Sequence, residues 1–448
     1  MITRLPLLRL ALIAAVANLP LPAQDSAAGP GQGAPAPKTV PKSWIDPDTG
    51  HRVIRVTDEP GSASLYFNVN GYTPDHREMV FTTARGISVL DLATFRTRAV
   101  VSEAVRLVEV GRKTPQVYYT RKTQDPNIAA LFGTNIDTGE TRKYAELPPG
   151  GSVTTINADE TLAAGTLTEG GGGFRSGDDR GLVQRVDKHE MMAERLARRL
   201  PMELFTVDLR TGKATGILHS TDWINHMQFS PTDPTRMLYC HEGPWEMVDR
   251  VWTIRTDGSE NTLVHARTMA MESAGHEFWS ADGGTIYYDL HLPRGRVFYL
   301  ASYNIGTKVR VWYHLEVVEW SIHYNATADG TLFCGDGSDN PPAWWATPAN
   351  KWIYLFRPER IDDSAKGIAS QNLGVTLFLP PGGNEPAAAD SHLVHPGILR
   401  TEKLVNMAKH NYLLEPNPIF SPDNKLVFFR SNMLGPTYVF AVEVAKAN

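Results

Sequence analysis

The stretch HEFWSADGGTIYYDL, His276 to Leu290, holds a short apolar strand, a Ser-Ala-Asp-Gly-Gly turn and a second apolar strand. Turn residues set between strand formers are the mark of a hairpin. The same layout recurs along the chain. Tyr66-Phe67 leads to TPDHREMVFTT, Val153 to NADETLAAGT, His226 to SPTDPTRMLYC, His323 to TADGTLFCGDG and Asn417 to SPDNKLVFFRS. Aligning the turn aspartates makes Val69, Val153, His276, His323 and Asn417 equivalent, and aligning Ser230 with Ser280 adds His226 despite one extra residue in its turn. Leu107-Val108 before QVYYTR and LFGTNIDTG supplies a weaker copy.

Further strands follow each hairpin, among them ISVLDLAT, LFTVDLRTGK and VWTIRTDGSE, each closed by a polar or glycine turn. About seven repeats of roughly 40 to 50 residues, each with strands enough for a small sheet, predict an all-β fold, a seven-bladed β-propeller. TYVFAVEV near the C-terminus is expected to be the third strand of the last blade, with HRVIRVT from residue 51 as its outer strand, closing the ring. A β-sandwich would leave the repeated register unexplained. The departures are Gly170 to Leu200, with the helical pattern KHEMMAERLARRL, and Gly337 to Asp390. Both are expected as insertions at the rim.

Composition narrows the function. The chain has 448 residues, 42% of them hydrophobic, and a formal charge of -5, with no polybasic surface to suggest nucleic acid. Residues 1–23 combine Arg4 and Arg9 with a short apolar run and Leu21-Pro22-Ala23, the pattern of a secretory signal. Residues 24–43, rich in Ala, Gly and Pro, are expected as a flexible leader, and 44–448 as a single propeller domain. A periplasmic or secreted protein follows, without membrane insertion, since no later run approaches the roughly 20 apolar residues of a span. Either a monomer or a homodimer is compatible with this. Cys240 and Cys334 lie in apolar strand-like sequence and are expected as buried thiols.

In a propeller the first residues of the inner strands gather around the axis, so His226, His276, His323 and Asn417 are expected to face one cavity. Imidazoles there can bind a divalent ion or move protons near neutral pH; the plainer alternative is buried hydrogen bonding between blades. YCHEGPWEMVDRVW adds His241, Trp245 and Arg250: the arginine can grip a carboxylate with two bonds, and the tryptophan can cover a sugar face. KHNYLLEPNPIFSPD adds His410, Tyr412 and Glu415, the last a hard oxygen ligand close to Asn417.

With HMQFSPTDPTRMLYCHEGPW, DRVW, HEFWSADG, the His323 to Gly337 segment and PNPIFSPDNKLVFFRSNMLG in this order, the chain resembles the oligogalacturonate lyase family. The resemblance implies a seven-bladed propeller that cleaves short 4-linked uronides by β-elimination with manganese. It places the catalytic base on His276, the catalytic arginine on Arg250 and a metal-binding histidine on His323. The family's Gln-x-x-His-Pro-His-Pro is replaced here by Tyr412-Leu413-Leu414-Glu415-Pro416-Asn417-Pro418. The expected metal set becomes His323, Glu415 and Asn417, with His410 or His226 in support; it is richer in oxygen and suits Mn2+ or Ca2+. His226, His241, Trp245 and Tyr412 are the expected contacts to a short uronic-acid oligosaccharide, and His241 or a tyrosine is expected to protonate the leaving oxygen. Three other functions compete: a noncatalytic uronide-binding propeller, a structural or protein-interaction propeller whose ring histidines serve packing, and a glycoside hydrolase using Glu242, Glu277 or Glu415.

Overall fold

The computed structural model describes residues 40–168, 188–293, 295–339, 350–362 and 394–447. The expected signal at 1–23, most of the leader, and large parts of the two expected rim insertions lie outside the described residues. Among the described residues the fold is almost entirely β. One helix, Lys188–Arg198, lies in the first insertion, where KHEMMAERLARRL predicts it.

Among the described residues the strands form six sheets. Four are four-stranded antiparallel meanders, at 63–101, 106–146, 152–220 and 223–263. The fifth has eight strands: two four-stranded meanders, 273–315 and 324–406, joined edge to edge by parallel pairing of Arg310–Leu315 with the start of Val394–Asn406. In the last sheet Tyr438–Lys446 pairs with His51–Arg55, so an N-terminal strand completes the C-terminal unit as expected.

The turns explain why the register repeats. Thr73, Ser280, Thr327 and Ser421 each donate a hydroxyl hydrogen bond to the aspartate two residues on, at 2.7, 2.5, 2.6 and 2.7 Å. This side-chain closure fixes each hairpin locally. Each sheet then buries an apolar face against the next. Val80 and Val89 pack with Val117 and Tyr119, Tyr118 and Leu131 with Phe205 and Val207, Leu204 with Tyr239 and Ile254, and Leu238 with Tyr288 and Ala301. A final cluster joins Phe278, Phe333 and Phe428 to Phe67 and Met79, so the last sheet packs against the first and the ring closes. Cys240 and Cys334 are free and buried.

Candidate active site

Three of the inner-strand positions have left-handed backbone: His226 at φ 51°, His276 at φ 46° and Asn417 at φ 51°. At the two histidines the cause is a β-bulge. The pairing register shifts between Asn225 and Gln228, and between Gly275 and Phe278, so an extra residue is accommodated at each histidine. Such backbone costs a non-glycine residue about 1–2 kcal/mol and re-aims its side chain.

His276 is held in place by a buried carboxylate. Its Nδ1–H donates to Asp289 Oδ1 at 2.8 Å, and because a carboxylate can only accept, Nε2 is left as the lone-pair nitrogen. Asp289 also lies 2.7 Å from His291 Nε2 through its other oxygen, so one buried carboxylate bridges two imidazoles. Burial pulls the His276 pKa below its ordinary value, assisted by His323 and Arg250 and only partly opposed by Asp289. The ring is therefore neutral at neutral pH.

The His276 ring stands edge-on to that of His323, with centroids 4.9 Å apart. His323 is fully buried and clamped by Asp336, which accepts from its backbone N–H at 3.0 Å and its Nδ1–H at 2.7 Å. Its Nε2 is buried without a hydrogen-bond partner, 3.7 Å from Glu415 Oε2. Burial alone would lower the His323 pKa, but Asp336 and Glu415 outweigh it and the pKa stands raised: positive charge is favoured at this imidazole.

Arg250 is 3% exposed and lies between two carboxylates. Its Nε donates to Glu277 at 3.0 Å and its Nη1 to Glu242 at 2.7 Å. Nη2 makes no hydrogen bond among the described residues and is the uncommitted edge of the guanidinium. His226 Nε2 lies 3.1 Å from Glu242, and its ring stacks on Tyr66. His226, Cys240 and Glu242 thus bring ligand atoms within 4.8 Å of one another. That trio suits a hard cation poorly: Glu242 already accepts from Arg250, whose positive charge sits beside it, and burial pushes the Cys240 thiol well up, away from the thiolate a metal needs. The orphaned nitrogen of His323 beside Glu415 has neither drawback and is the other candidate ligand pair.

The structure therefore brings His226, Arg250, His276, His323 and Glu415 together, and turns other expected residues elsewhere. His410, expected as a metal ligand, has both ring nitrogens occupied, Nε2 by the Leu414 carbonyl at 2.6 Å and Nδ1 by Ser431 Oγ at 2.9 Å. Asn417, also expected to bind metal, accepts from the Phe67 N–H and donates to the Glu415 carbonyl, which ties the first sheet to the last. Tyr412 donates to the Asp336 carbonyl at 2.8 Å and props the residue that clamps His323. His241 lies on the opposite strand face from Cys240 and Glu242 and stacks on Trp252, at 4.8 Å between centroids. Trp245 is half-buried in the loop between Arg236–Glu242 and Val251–Arg255.

Asp289, Asp336 and Tyr66 were not among the expected site residues. The two aspartates had a signal in the sequence: each follows its histidine by 13 residues, His276 to Asp289 and His323 to Asp336. That spacing carries the chain through the hairpin turn and back to the position across from the histidine. Tyr66 had no such marker.

Residues 178–347 match a family described as oligogalacturonate lyase. An oligogalacturonide lyase of Pectobacterium atrosepticum is 30% identical over 242 residues, covering 54% of this chain and 55% of that protein. An oligogalacturonate lyase of Dickeya dadantii is 27% identical over 242 residues, with the same shares. The chain thus matches these relatives over about half their length. Among solved structures, an oligogalacturonate lyase in complex with manganese superimposes with a TM-score of 0.67 at 20% identity, over 90% of this chain and 96% of that one. Another, from Vibrio parahaemolyticus, gives 0.68 at 20% identity over the same shares. The matched segment and the shared fold agree with the motifs in the sequence: over residues 178–347 the chain is similar to oligogalacturonate lyases, and its fold is that of the two solved ones.

Proposed function

We propose that this protein is a seven-bladed propeller, the eight-stranded sheet being two blades, that cleaves short 4-linked uronides by β-elimination. Oligogalacturonides are the substrate class that the family and its named relatives favour. The observation that carries the proposal is the neutral His276, its tautomer set by Asp289, against His323 and within the field of Arg250.

The C5 proton of a uronate is alpha to a carboxylate, so its removal builds negative charge on that group before the C4 oxygen departs. His276 Nε2 takes the proton, and Asp289 stabilises the imidazolium that results. Arg250, held rigid by Glu242 and Glu277, offers Nη2 to the uronate carboxylate. Glu242, Glu277, Asp289, Asp336 and Glu415 set five carboxylates against the guanidiniums of Arg250 and Arg430, a formal charge of -3 with the imidazoles neutral and -2 with His323 protonated. An anionic sugar is repelled from such a site unless a cation joins it. His323 and Glu415 are the residues that would hold a divalent ion. Manganese is favoured by the manganese complex of the oligogalacturonate lyase that shares this fold, and calcium is also compatible with the oxygen ligand. When bound, that ion would neutralise the uronate carboxylate and stabilise charge developing on it.

The hydrolase alternative loses ground because Glu242 and Glu277 both accept hydrogen bonds from Arg250, whereas a general acid must offer a proton. The test is incubation of the metal-supplied protein with saturated oligogalacturonides and, in parallel, glucuronate-containing oligomers. Formation of a C4=C5 conjugated product that disappears in a folded His276→Ala variant is the expected result. Water incorporation without a double bond, or sugar binding without chemical change, would reject the lyase in favour of a hydrolase or a binding protein.

A further inference from the structure

β-Elimination needs a proton for the departing C4 oxygen as well as a base at C5. Resting on the lyase function proposed above, we infer that the Tyr66 hydroxyl is the catalytic acid that gives this proton. Tyr66 follows the inner strand Ala63–Ser64 of the first sheet. Its ring stands edge-on to His323 with centroids 5.2 Å apart and stacks on His226 at 6.3 Å, so it lines the same cluster as the base.

Its neighbours are pinned. The Phe67 N–H donates to Asn417, and Asn68 donates its side-chain amide to the Glu277 carbonyl. Its hydroxyl, in contrast, makes no hydrogen bond among the described residues, and the residue is half-buried. The other nearby tyrosines are committed: Tyr412 donates to the Asp336 carbonyl, Tyr72 to the Phe420 carbonyl, and the Tyr324 oxygen accepts from the Ser321 N–H. His241, the other acid expected from the sequence, is stacked on Trp252 on the far face of its strand.

The step balances without a further reagent. The C5–H bond breaks to His276 Nε2, its electron pair forms C4=C5, the C4–O bond breaks, and the oxygen takes the Tyr66 proton. Solvent then carries the proton from the His276 imidazolium back to the tyrosinate.

Tyr66→Phe keeps the ring and its contacts with His226 and His323 and removes only the acid. Two substrates separate its role from a structural one: an oligogalacturonide, whose sugar alkoxide must be protonated, and a 4-O-nitrophenyl uronide, whose phenolate leaves unprotonated. Tyr66→Phe is expected to lose about 100-fold or more in turnover on the first, as general acids contribute about 10²–10⁴. It should retain turnover within a few-fold on the second, with the same metal content and unfolding midpoint as the wild type. Equal losses on both substrates, or full turnover on the oligogalacturonide, would overturn the role of Tyr66 while leaving the lyase standing. A wild-type protein that eliminates from neither substrate would overturn the lyase function itself and this role with it.

Discussion

Asp289→Asn probes the arrangement of the base without touching substrate. Asp289 holds His276 through Nδ1 at 2.8 Å and His291 through its other oxygen at 2.7 Å, and the residue is 5% exposed. When His276 takes the substrate proton it becomes a cation beside this anion. At about 4 Å between charge centres and an effective dielectric near 20, that attraction is worth about 4 kcal/mol. Losing it in the transition state corresponds to roughly a thousandfold in rate, at 1.36 kcal/mol per factor of ten. The amide has a second effect in the same direction, since an Asn N–H facing Nδ1 would leave the imidazole hydrogen on Nε2, where the lone pair is needed. The assay is the ultraviolet absorbance of the unsaturated product under saturating substrate, together with a denaturant titration. The variant should remain folded, at a cost of about 2 kcal/mol for the weakened charged hydrogen bonds. A folded Asp289→Asn protein within a few-fold of wild-type turnover would refute the role of His276 as a base oriented by Asp289.

Two further outcomes are expected. Because burial holds the His276 pKa below its ordinary value of 6.5, the base stays deprotonated as the pH falls to 6.5 and is lost only below it. The acid limb of kcat/KM should therefore fall beneath pH 6.5, and a midpoint above that value would contradict the assignment. His323→Ala and Glu415→Gln should each lower the divalent metal bound per chain, measured by elemental analysis, while His410→Ala should not. Unchanged occupancy in the first two variants would move the ion away from His323.

The fold was largely legible because its signals are local. A serine or threonine bonded to the aspartate two residues later closes one hairpin after another, and this spacing survives in the sequence whatever surrounds it. The convergence of His226, His276 and His323 followed from the same register. What the register could not give was the role of each polar group, which depends on partners supplied by the ring. Asn417 and His410 sit where ligands were expected, yet their hydrogen bonds go to the Phe67 and Leu414 backbones. The Phe67 contact depends on tertiary placement that the local pattern does not encode, whereas the Leu414 carbonyl that turns His410 aside lies only four residues on. Arg250 was identified, but the two carboxylates that grip it come from different strands. Tyr66 was missed because an aromatic residue beside an inner strand reads as core, and only the closure of the ring brings it to His323.

The left-handed backbone at His226, His276 and Asn417 restricts which side chains these positions can carry. β-branched and bulky apolar residues are poor tenants at positive φ, whereas Asn, Asp and His are enriched there several-fold. An alphabet limited to glycine and small polar or imidazole side chains is also one rich in metal donors, proton carriers and hydrogen-bonding amides. Exchange at such a position then swaps one chemically capable group for another. Asparagine at 417, where the family pattern has histidine, is a substitution within that alphabet: the main chain keeps its shape while a ring nitrogen gives way to an amide that binds the Phe67 backbone. A propeller with kinked inner strands can in this way alter its chemistry at the axis one residue at a time without re-forming its sheets.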